Sequence, residues 1–440
     1  MNIGEAQAWL DAHINLESLG APAGAERRSS ALALDRVRSL VALLGSPELS
    51  YAAIHLTGTN GKTSAARMAS GLLAEAGLSV GTYTSPHLER VNERLSWNGA
   101  SIDDETLAEV LTVVAEVERH LTDPPSYFEI LTAAALHWFA DVAVDVAVVE
   151  VGLGGGRDAT NVVDGRVAVV TNVSVDHVEY IGPTIRDIAT EKAGIVKRGA
   201  TLVLGEPDPE LAAIFRQRVD ADHVVARDVD FGVRSARLAH GGRVVDLYTP
   251  GGWYDEVLLP LHGAHQAQNA AAALAATEAF LGNALDRDVV QAALAAVQSP
   301  GRLEVVGHAP LVLLDGAHNV VGAGALRAAL AEEFVDAPRI LVVGLLREKE
   351  PHEMLEALGV ATAARLVCCR PPSPRALEPA TVAAAARDLG VDPARVETVD
   401  LVEKAVARAL ALAGPEDQVI VTGSLYTVGA ARATLVPHGP

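Results

Sequence analysis

Long apolar strands that alternate with alanine- and leucine-rich stretches constrain the fold of this chain more than any other feature. Residues 144–151 (VDVAVVEV) and 167–173 (VAVVTNV) are almost uninterrupted apolar runs. Residues 52–56 (AAIHL) form another such run, and the sequence at 64–76 (SAARMASGLLAEA) predicts a helix that ends at Gly77. Continuous apolar strands separated by helices are typical of a parallel sheet covered on both faces. The sequence therefore predicts an α/β fold.

The turn between the first of these strands and its helix is rich in glycine. It has the sequence GTNGKT at residues 58–63. Glycines let backbone N–H groups approach phosphates, a lysine can bridge the terminal phosphates, and the hydroxyl of Thr63 or Ser64 can hold Mg²⁺. The alternative is an ordinary glycine-rich turn with a surface lysine. Because strand, turn and helix all fit a phosphate-binding loop, the sequence predicts nucleotide binding here.

A second α/β series begins after the Pro-Gly pair at residues 300–301. Pro-Gly dipeptides mark turns, so we place a domain boundary within residues 298–301. We expect residues 1–298 to form an N-terminal P-loop ATPase domain, with a mostly parallel sheet flanked by helices. We expect residues 299–440 to form a smaller Rossmann-like α/β domain. Residues 223–260 alternate in polarity and contain Gly-Gly pairs, which predicts an antiparallel insertion.

Composition and net charge exclude some classes of binding partner. Its 440 residues are 50% hydrophobic, and the net charge is −21. A nucleic acid or an anionic membrane requires a basic face, so neither is expected as a partner. No basic signal segment and no run of 18 apolar residues is present, which predicts a cytoplasmic protein. The two cysteines, Cys368 and Cys369, are adjacent, so they cannot form a disulfide that joins distant segments. The default expectation for the oligomeric state is a monomer.

Several polar residues follow the predicted strands and should therefore meet at one edge of the sheet. Glu150 comes near the end of the strand at 144–151, and residues 172–177 follow the next strand. Ligands of parallel sheets collect at the carboxyl ends of strands. Glu150 is thus the best single acid for Mg²⁺, which prefers hard oxygen ligands. For Glu150, the alternative to a metal ligand is a helix cap or an ion pair. For His177, the alternative to a metal ligand is a capping pair with Asp176.

The motifs along the chain resemble those of one enzyme family. They are GTNGKT at 58–63, TSPHLERVNER at 84–94, EVGLGGGRDATN at 150–161, TEKAGIVKRG at 190–199, HGAHQAQNA at 262–270, PGRLEVV at 300–306, DGAHN at 315–319 and VTGSLYTVG at 421–429. The shortened phosphate loop is similar to that of the Mur ligases. The whole set, in this order, resembles the folylpolyglutamate synthase/dihydrofolate synthase family within the Mur ligase superfamily, and it spans nearly the whole chain.

The resemblance implies a ligase that forms carbon–nitrogen bonds. Such an enzyme adds L-glutamate to dihydropteroate, to the γ-carboxyl of (tetrahydro)folates, or to both. ATP would first convert the acceptor carboxylate to an acyl phosphate, and the products would include ADP and phosphate. The expected cofactors are ATP and Mg²⁺, with two ions, and the expected partners are small-molecule substrates.

The resemblance also assigns nucleotide and metal residues. For ATP it implies Gly58, Thr59, Asn60, Gly61, Lys62, Thr63, Ser64, Asn269, Arg302 and Asp315. For the metal ions it implies Thr63, Ser85, Glu150, His177 and, if carbamylated, Lys192. An unmodified Lys192 would repel Mg²⁺, whereas a carbamate adds a negative charge. An ordinary solvated helix lysine is the alternative.

For the acceptor, the resemblance implies residues in three segments. They are Glu17, Ser18, Leu19, Gly20, Tyr127, Phe128, Glu129, Asp158, Ala159 and Thr160. The implied catalytic residues are Lys62, Lys192, Arg302 and His318. Arg302 follows the interdomain turn and would reach the phosphates on domain closure; a linker ion pair is its alternative. His318 would bind glutamate or assist proton loss, and a structural loop histidine is its alternative.

Two other functions remain open from the sequence. One is a Mur-type ligase that acts on a peptidoglycan precursor, although no UDP-sugar-binding N-terminal domain is evident. The other is a phosphate-loop protein that binds nucleotide without ligation. The acid, histidine, lysine and interdomain arginine that accompany the phosphate loop favour the ligase. A phosphate-release assay with ATP and Mg²⁺ separates the three functions. The folate ligase should release phosphate only when glutamate is present together with a pteroate or a folate.

Overall fold

The chain is built from two α/β units. The computed structural model describes residues 1–19, 29–176 and 178–436. By contacts between residues, the chain divides into two units. The first comprises the described residues of Met1–Pro260 with Gln266–Val297, and the second comprises Leu261–His265 with the described residues from Gln298 onward. The predicted boundary at 298/299 stays a prediction.

The first unit contains strands β1–β11 and helices α1–α11. The strands are β1 (Ala52–Thr57), β2 (Val80–Tyr83), β3 (Leu95–Trp97), β4 (Ala100–Ser101), β5 (Val146–Glu150), β6 (Gly165–Val170), β7 (Thr201–Leu204), β8 (Val224–Ala226), β9 (Gly232–Ala239), β10 (Gly242–Thr249) and β11 (Gly252–Leu259). The helices are α1 (Ile3–Asp11), α2 (Leu16–Leu19), α3 (Ser29–Leu43), α4 (Lys62–Glu75), α5 (Asp104–Glu118), α6 (Tyr127–Asp141), α7 (Val178–Ile181), α8 (Ile185–Lys192), α9 (Pro209–Arg216), α10 (Ala264–Leu281) and α11 (Arg287–Ala295).

The main sheet of this unit places β1 in its interior. Among the described residues the strand order is β4-β3-β2-β5-β1-β6-β7-β8. The pairs from β2 through β8 are parallel, whereas β3 and β4 add antiparallel at one edge. Ile54, Val148 and Val169 in the three central strands are fully buried. The apolar runs therefore form interior strands because helices cover both of their faces.

Residues Gly232–Leu259 form a separate three-stranded sheet. Its order is β11-β10-β9, and both pairs are antiparallel. The predicted insertion at 223–260 is thus antiparallel except at its start. Residues Val224–Ala226 instead pair in parallel with β7, at the edge of the main sheet.

The second unit is a smaller α/β layer structure. Its strands are β12 (Glu304–His308), β13 (Leu311–Leu314), β14 (Arg339–Val343), β15 (Arg365–Arg370), β16 (Val396–Leu401) and β17 (Gln418–Thr422). Its helices are α12 (Val320–Glu333), α13 (Pro351–Leu358), α14 (Pro379–Asp388), α15 (Val402–Leu412) and α16 (Leu425–Leu435). The strand order is β12-β13-β17-β14-β15-β16, in which only the β12–β13 pair is antiparallel. The predicted fold class is confirmed.

Two further features of the structure concern the adjacent cysteines and the possibility of a membrane span. Cys368 and Cys369 lie in β15, and both are fully buried. Burial raises the pKa of each thiol to about 12, so the thiols stay protonated. Within the described ranges, no helix has the length and apolar character needed to cross a bilayer.

Close packing of β2 against α6 generates a first prediction. A Cβ added at Gly81 would lie 2.6 Å from ring atoms of Phe139, and that ring is buried. Overpacking of this kind costs roughly 1–3 kcal/mol, so Gly81→Ala should lower the Tm in thermal unfolding followed by circular dichroism.

Gly71→Ala is the matched control for Gly81→Ala. Gly71 lies inside α4, where an added Cβ would come no closer than 3.8 Å to Ala293 O. Alanine is favoured over glycine in a helix by roughly 1 kcal/mol, so this variant should be at least as stable as the parent. Equal Tm changes in the two variants would contradict the close contact at Gly81.

Candidate active site

The phosphate loop joins β1 to α4, and two of its glycines are fixed by close contacts. A Cβ on Gly58 would lie 1.8 Å from Thr171 Oγ1, just beyond β6. Gly61 has φ +82°, and a Cβ there would lie 2.4 Å from Asn269 Oδ1 in α10. Only glycine fits both the backbone conformation and the approach of these neighbours. The contact also brings Asn269 to the loop, and its expected part in ATP binding stays a prediction.

Hydrogen bonds attach the loop to the segment that follows β6. The Thr59 N–H donates to Asn172 O at 3.0 Å, and the Asn60 N–H donates to Asn172 Oδ1 at 3.0 Å. Thr171 Oγ1 donates to Asn60 O at 2.7 Å, and Thr59 Oγ1 donates to Ser174 O at 3.1 Å. Hydrogen bonds to the neighbouring strand end thus help to fix the shape of the loop.

Two lysines converge on one carbonyl oxygen of this loop. Lys62 Nζ donates to Gly58 O at 3.1 Å, and Lys192 Nζ donates to the same oxygen at 2.8 Å. Lys192 is only 4% exposed. Burial and the nearby charge of Lys62 lower the pKa of Lys192 to about 7, against the opposing effects of Asp176 and other acids. Lys192 therefore has a substantial neutral fraction at neutral pH.

Glu150 lies beside the first turn of α4. Its carboxylate accepts from Thr63 Oγ1 at 2.9 Å and 3.0 Å, and from the Ser85 N–H at 3.3 Å. Glu150 is 1% exposed, because it ends the buried strand β5. A carboxylate with neighbouring hydroxyl groups is an oxygen-only donor set, which fits Mg²⁺. Within the residues that the structure describes, no three His, Cys, Asp or Glu side chains form a metal-binding group.

The glycine-rich segment 152–156 packs against the end of α8. A Cβ on Gly155 would lie 2.9 Å from Lys192 Cα, and a Cβ on Gly194 would lie 2.3 Å from Gly156 Cα. The Gly156 N–H donates to Glu191 O at 2.8 Å. The two motifs that contain these residues are more than 30 positions apart in sequence. Their glycines are required because the two backbones touch.

The predicted acceptor residues Asp158, Ala159 and Thr160 are all buried and directly follow this segment. Asp158 Oδ2 accepts the Leu153 N–H at 2.8 Å, and Oδ1 accepts from the Thr160 hydroxyl at 2.5 Å. Burial raises the pKa of Asp158, against the effect of these hydrogen bonds. The Asp158 carboxylate therefore joins Leu153 to Thr160 and so holds the loop between them together.

Tyr127, Phe128 and Glu129 form the first turn of α6. A Cβ on Gly152 would lie 2.4 Å from the Phe128 ring, so this ring covers the start of the glycine-rich segment. Glu129 closes a capping box with Ser126 and also accepts from the Arg36 guanidinium at 3.0 Å and 3.2 Å. Its carboxylate is thus engaged in holding α6 and α3.

Glu17, Ser18 and Leu19 lie in the short helix α2. Glu17 accepts from the Arg94 guanidinium at 2.5 Å and 2.9 Å. Ser18 is bonded within its own turn, and Leu19 is 62% exposed. The predicted site residues Gly20 and His177 lie outside the described residues.

Arg94 was not assigned a role by the sequence, although it belongs to a motif there. Its side chain is 1% exposed, and its Nε donates to His87 Nδ1 at 2.9 Å. Its guanidinium also lies 5.6 Å from the ring centre of Tyr127. Burial and the charge of Arg94 lower the pKa of His87 to about 4, so this imidazole is neutral. The sequence analysis also assigned no role to His55, which lies inside the apolar strand β1 and contacts Thr160.

The second unit carries Arg302, Asp315 and His318. Asp315 follows β13, and its carboxylate accepts the Leu303 N–H and the Ala317 N–H, each at 2.9 Å. Burial raises the pKa of Asp315, and the charge of Arg302 opposes this. A Cβ on Gly316 would lie 2.2 Å from Arg302 Nη1, so the guanidinium lies over this turn. His318 Nδ1 lies 2.9 Å from Gly316 O.

Comparison with known proteins agrees with both units. Residues 56–277 match the Mur ligase middle domain, and residues 301–425 match the glutamate ligase domain of Mur ligases. The dihydrofolate synthase/folylpolyglutamate synthase of Mycobacterium tuberculosis is 42% identical, over 92% of this chain and 90% of that protein. The Escherichia coli protein of the same name is 31% identical, over 96% and 93%.

Two solved structures are also similar. One is Mycobacterium tuberculosis folylpolyglutamate synthase complexed with ADP, with a TM-score of 0.89 and 37% identity, covering 100% of this chain and 99% of that one. The other is E. coli FolC in complex with DHPP and ADP, with a TM-score of 0.83, 30% identity and 96% coverage of both chains.

Fold and site together define an ATP-dependent ligase that forms carbon–nitrogen bonds. The chain belongs to the dihydrofolate synthase/folylpolyglutamate synthase family of the Mur ligases. The predictions of family and enzyme class are therefore confirmed. The role of each site residue stays a prediction.

The contact at Gly58 generates the second prediction. In Gly58→Ala, the added methyl group collides with Thr171 and displaces the phosphate loop. Nucleotide affinity should fall at least about tenfold, which corresponds to about 1.4 kcal/mol. Isothermal titration calorimetry with ADP measures it.

Gly77→Ala is the matched control for Gly58→Ala. Gly77 also has a positive φ, +93°, but an added Cβ would meet no atom within 4 Å. This variant carries backbone strain of roughly 1–2 kcal/mol without a collision, so ADP affinity should be retained. Parental ADP affinity in Gly58→Ala would disprove the steric argument.

Proposed function

We propose that this chain adds L-glutamate to dihydropteroate and to the γ-carboxyl of reduced folates through an acyl phosphate. An acceptor carboxylate oxygen attacks the γ-phosphorus of ATP, and the bond from that phosphorus to ADP breaks. The glutamate nitrogen then attacks the acyl carbon, and the carbon–oxygen bond to phosphate breaks. The amine loses a proton as the amide forms. The products are the amide, ADP and phosphate.

The observation that carries this proposal is the meeting of three segments at one edge of the main sheet. The phosphate loop, the Glu150 carboxylate and the glycine-rich segment 152–156 all border Lys192 or the first turn of α4. Both steps of the reaction collect negative charge, which cations and oriented donors stabilise. Lys62, at the start of α4, is the residue proposed to contact the terminal phosphates.

The side chains beside α4 fit a magnesium ion. Thr63, Ser85 and Glu150 would hold it, and His177 and a carbamylated Lys192 would hold a second ion. Bound Mg²⁺ would neutralise the charge of the triphosphate and of the forming acyl phosphate. Thr63 Oγ1 and the Ser85 N–H both donate to the carboxylate of Glu150, which keeps this buried acid in a defined orientation.

Modification of Lys192 is part of the proposal. Carbamylation requires a neutral amine, since the nitrogen lone pair attacks CO₂ and the amine then loses a proton. The lowered pKa of Lys192, about 7, supplies that neutral amine. The carbamate would also replace a cation beside Lys62 by an anion, which removes a like-charge repulsion.

The acceptor is proposed to bind against the segments at 17–20, 127–129 and 158–160. Phe128 offers a ring beside Gly152, and Asp158 shapes the loop that follows. The similarity to an E. coli structure in complex with DHPP and ADP supports binding of a small-molecule substrate together with a nucleotide. In the second unit, Arg302 is proposed to bind phosphate, Asp315 to bind ribose hydroxyls or orient Arg302, and His318 to bind glutamate.

The third prediction tests the activity itself. Purified protein with ATP and Mg²⁺ should release phosphate only when glutamate is present with dihydropteroate or tetrahydrofolate. A coupled phosphate assay and mass spectrometry of the product measure turnover and the added glutamyl group. Lys62→Ala should lower the rate by about 100-fold or more, because a donor to the transferred phosphoryl group is lost.

Other outcomes of this assay reverse the proposal. Stimulation by UDP-linked peptidoglycan precursors instead of folates would favour a Mur-type ligase. Phosphate release that is independent of glutamate would favour a nucleotide-binding protein without ligase activity.

The fourth prediction concerns Lys192. ¹³C NMR of the folded protein equilibrated with ¹³C-bicarbonate should show one carbamate carbon. That signal should be absent from Lys192→Ala and retained in Lys197→Ala, the control in the same motif. Lys192→Ala should lose activity by about 100-fold or more, and short carboxylic acids should restore part of it. A fully active Lys192→Ala variant would refute the carbamate.

A further inference from the structure

His55 is a fully buried histidine within the apolar strand β1. Its neighbours Ile54 and Leu56 are also fully buried. Burial, with the nearby charge of Lys197, lowers the pKa of His55 to about 3, so the imidazole is neutral at physiological pH. Its Nδ1 has no hydrogen-bond partner among the described residues. An aliphatic side chain would cost the strand less, since a buried polar atom without a partner is destabilising.

The other ring nitrogen makes a directed contact. His55 Nε2 lies 2.9 Å from Thr160 Oγ1, and that hydroxyl donates to Asp158 Oδ1 at 2.5 Å. A threonine hydroxyl has one proton. Because this proton goes to the carboxylate, the imidazole must donate from Nε2, and the tautomer is thereby fixed. Thr160 is 0% exposed, so water does not compete for the bond.

The chain of hydrogen bonds continues into the glycine-rich segment. Asp158 Oδ2 accepts the Leu153 N–H at 2.8 Å, and this segment packs on Lys192 through Gly155. Thr57, two residues after His55, donates to Gly154 O at 2.8 Å. Residues i and i+2 of a strand face the same side, so β1 bonds twice to segment 152–160 before it enters the phosphate loop. One strand thus sets the position of both segments.

We propose that His55 is a positioning residue for the acceptor, which it serves by holding Thr160 and Asp158 in place. This rests on the proposed function, in which segment 158–160 borders the acceptor. The imidazole does not contact a reacting atom and takes no part in proton transfer. Its contribution is the single N–H that orients the Thr160 hydroxyl, which in turn orients the carboxylate and the loop.

The test compares substitutions at both ends of this hydrogen bond. His55→Leu removes the donor and fills a similar volume, and His55→Gln keeps an N–H donor at the end of the side chain. Thr160→Val removes the hydroxyl with little change in shape. Thr277→Val is the matched control, since Thr277 is also 0% exposed and its hydroxyl donates to Ala273 O within its own helix α10.

The expected result is a change in acceptor affinity alone. Loss of one buried hydrogen bond should raise the KM for the acceptor about tenfold in His55→Leu. Thr160→Val should raise it at least as much, because this variant also loses the bond to Asp158 Oδ1. The Kd for ADP, measured by calorimetry, should stay within about twofold of the parent. His55→Gln should restore most of the loss, and the double variant His55→Leu/Thr160→Val should show no multiplied effect. The Thr277→Val control should have the parental KM.

Two results would overturn the inference. One is an unchanged acceptor KM in a folded His55→Leu protein, and the other is a parallel loss of ADP and acceptor binding, as general destabilisation would give. If His55→Leu does not fold, the comparison of Thr160→Val with Thr277→Val decides by the same criteria. If the parent protein itself fails to ligate glutamate, the proposed function is refuted. If the parent is active and the variants have the parental KM for the acceptor, only the role of His55 is refuted.

Discussion

The phosphate loop depends on the close approach of Gly58 to the end of strand β6. The contact with Thr171 leaves no room for a side chain, and hydrogen bonds to Asn172 and Ser174 fix the rest of the loop. The position of α4 follows from this, since the helix begins directly after the loop. Thr63 in the first turn of α4 then meets Glu150 from the strand on the other side of β1.

Buried charge is the second constraint on the site. The chain carries a net charge of −21, yet two lysines meet at one carbonyl oxygen of the phosphate loop. Burial and the nearby charge of Lys62 favour the neutral form of Lys192. The charge of Lys62 at the loop is local, so it would attract an anionic ligand even in a protein with a negative net charge.

Much of the architecture followed from periodicity and turn residues. The apolar runs at 52–56 and 167–173 gave interior parallel strands, and the Gly-Gly pairs gave the hairpins of β9–β11. Short edge elements such as β3 and β4 did not follow, because two or three residues carry no readable pattern. Long-range ion pairs such as Glu17–Arg94 did not follow either, since neither residue type indicates its partner.

The sequence by itself determined the fold class and the family, and it predicted the phosphate loop, because strand periodicity, ordered motifs and glycine spacing are all local properties of the chain. Tertiary structure alone decided which distant groups meet. It brought Lys192 to Gly58, packed segment 152–156 against residues 191–194, and bonded His55 to Thr160. Such contacts depend on strand order and burial, and burial is also what shifts the pKa values of Lys192 and His55.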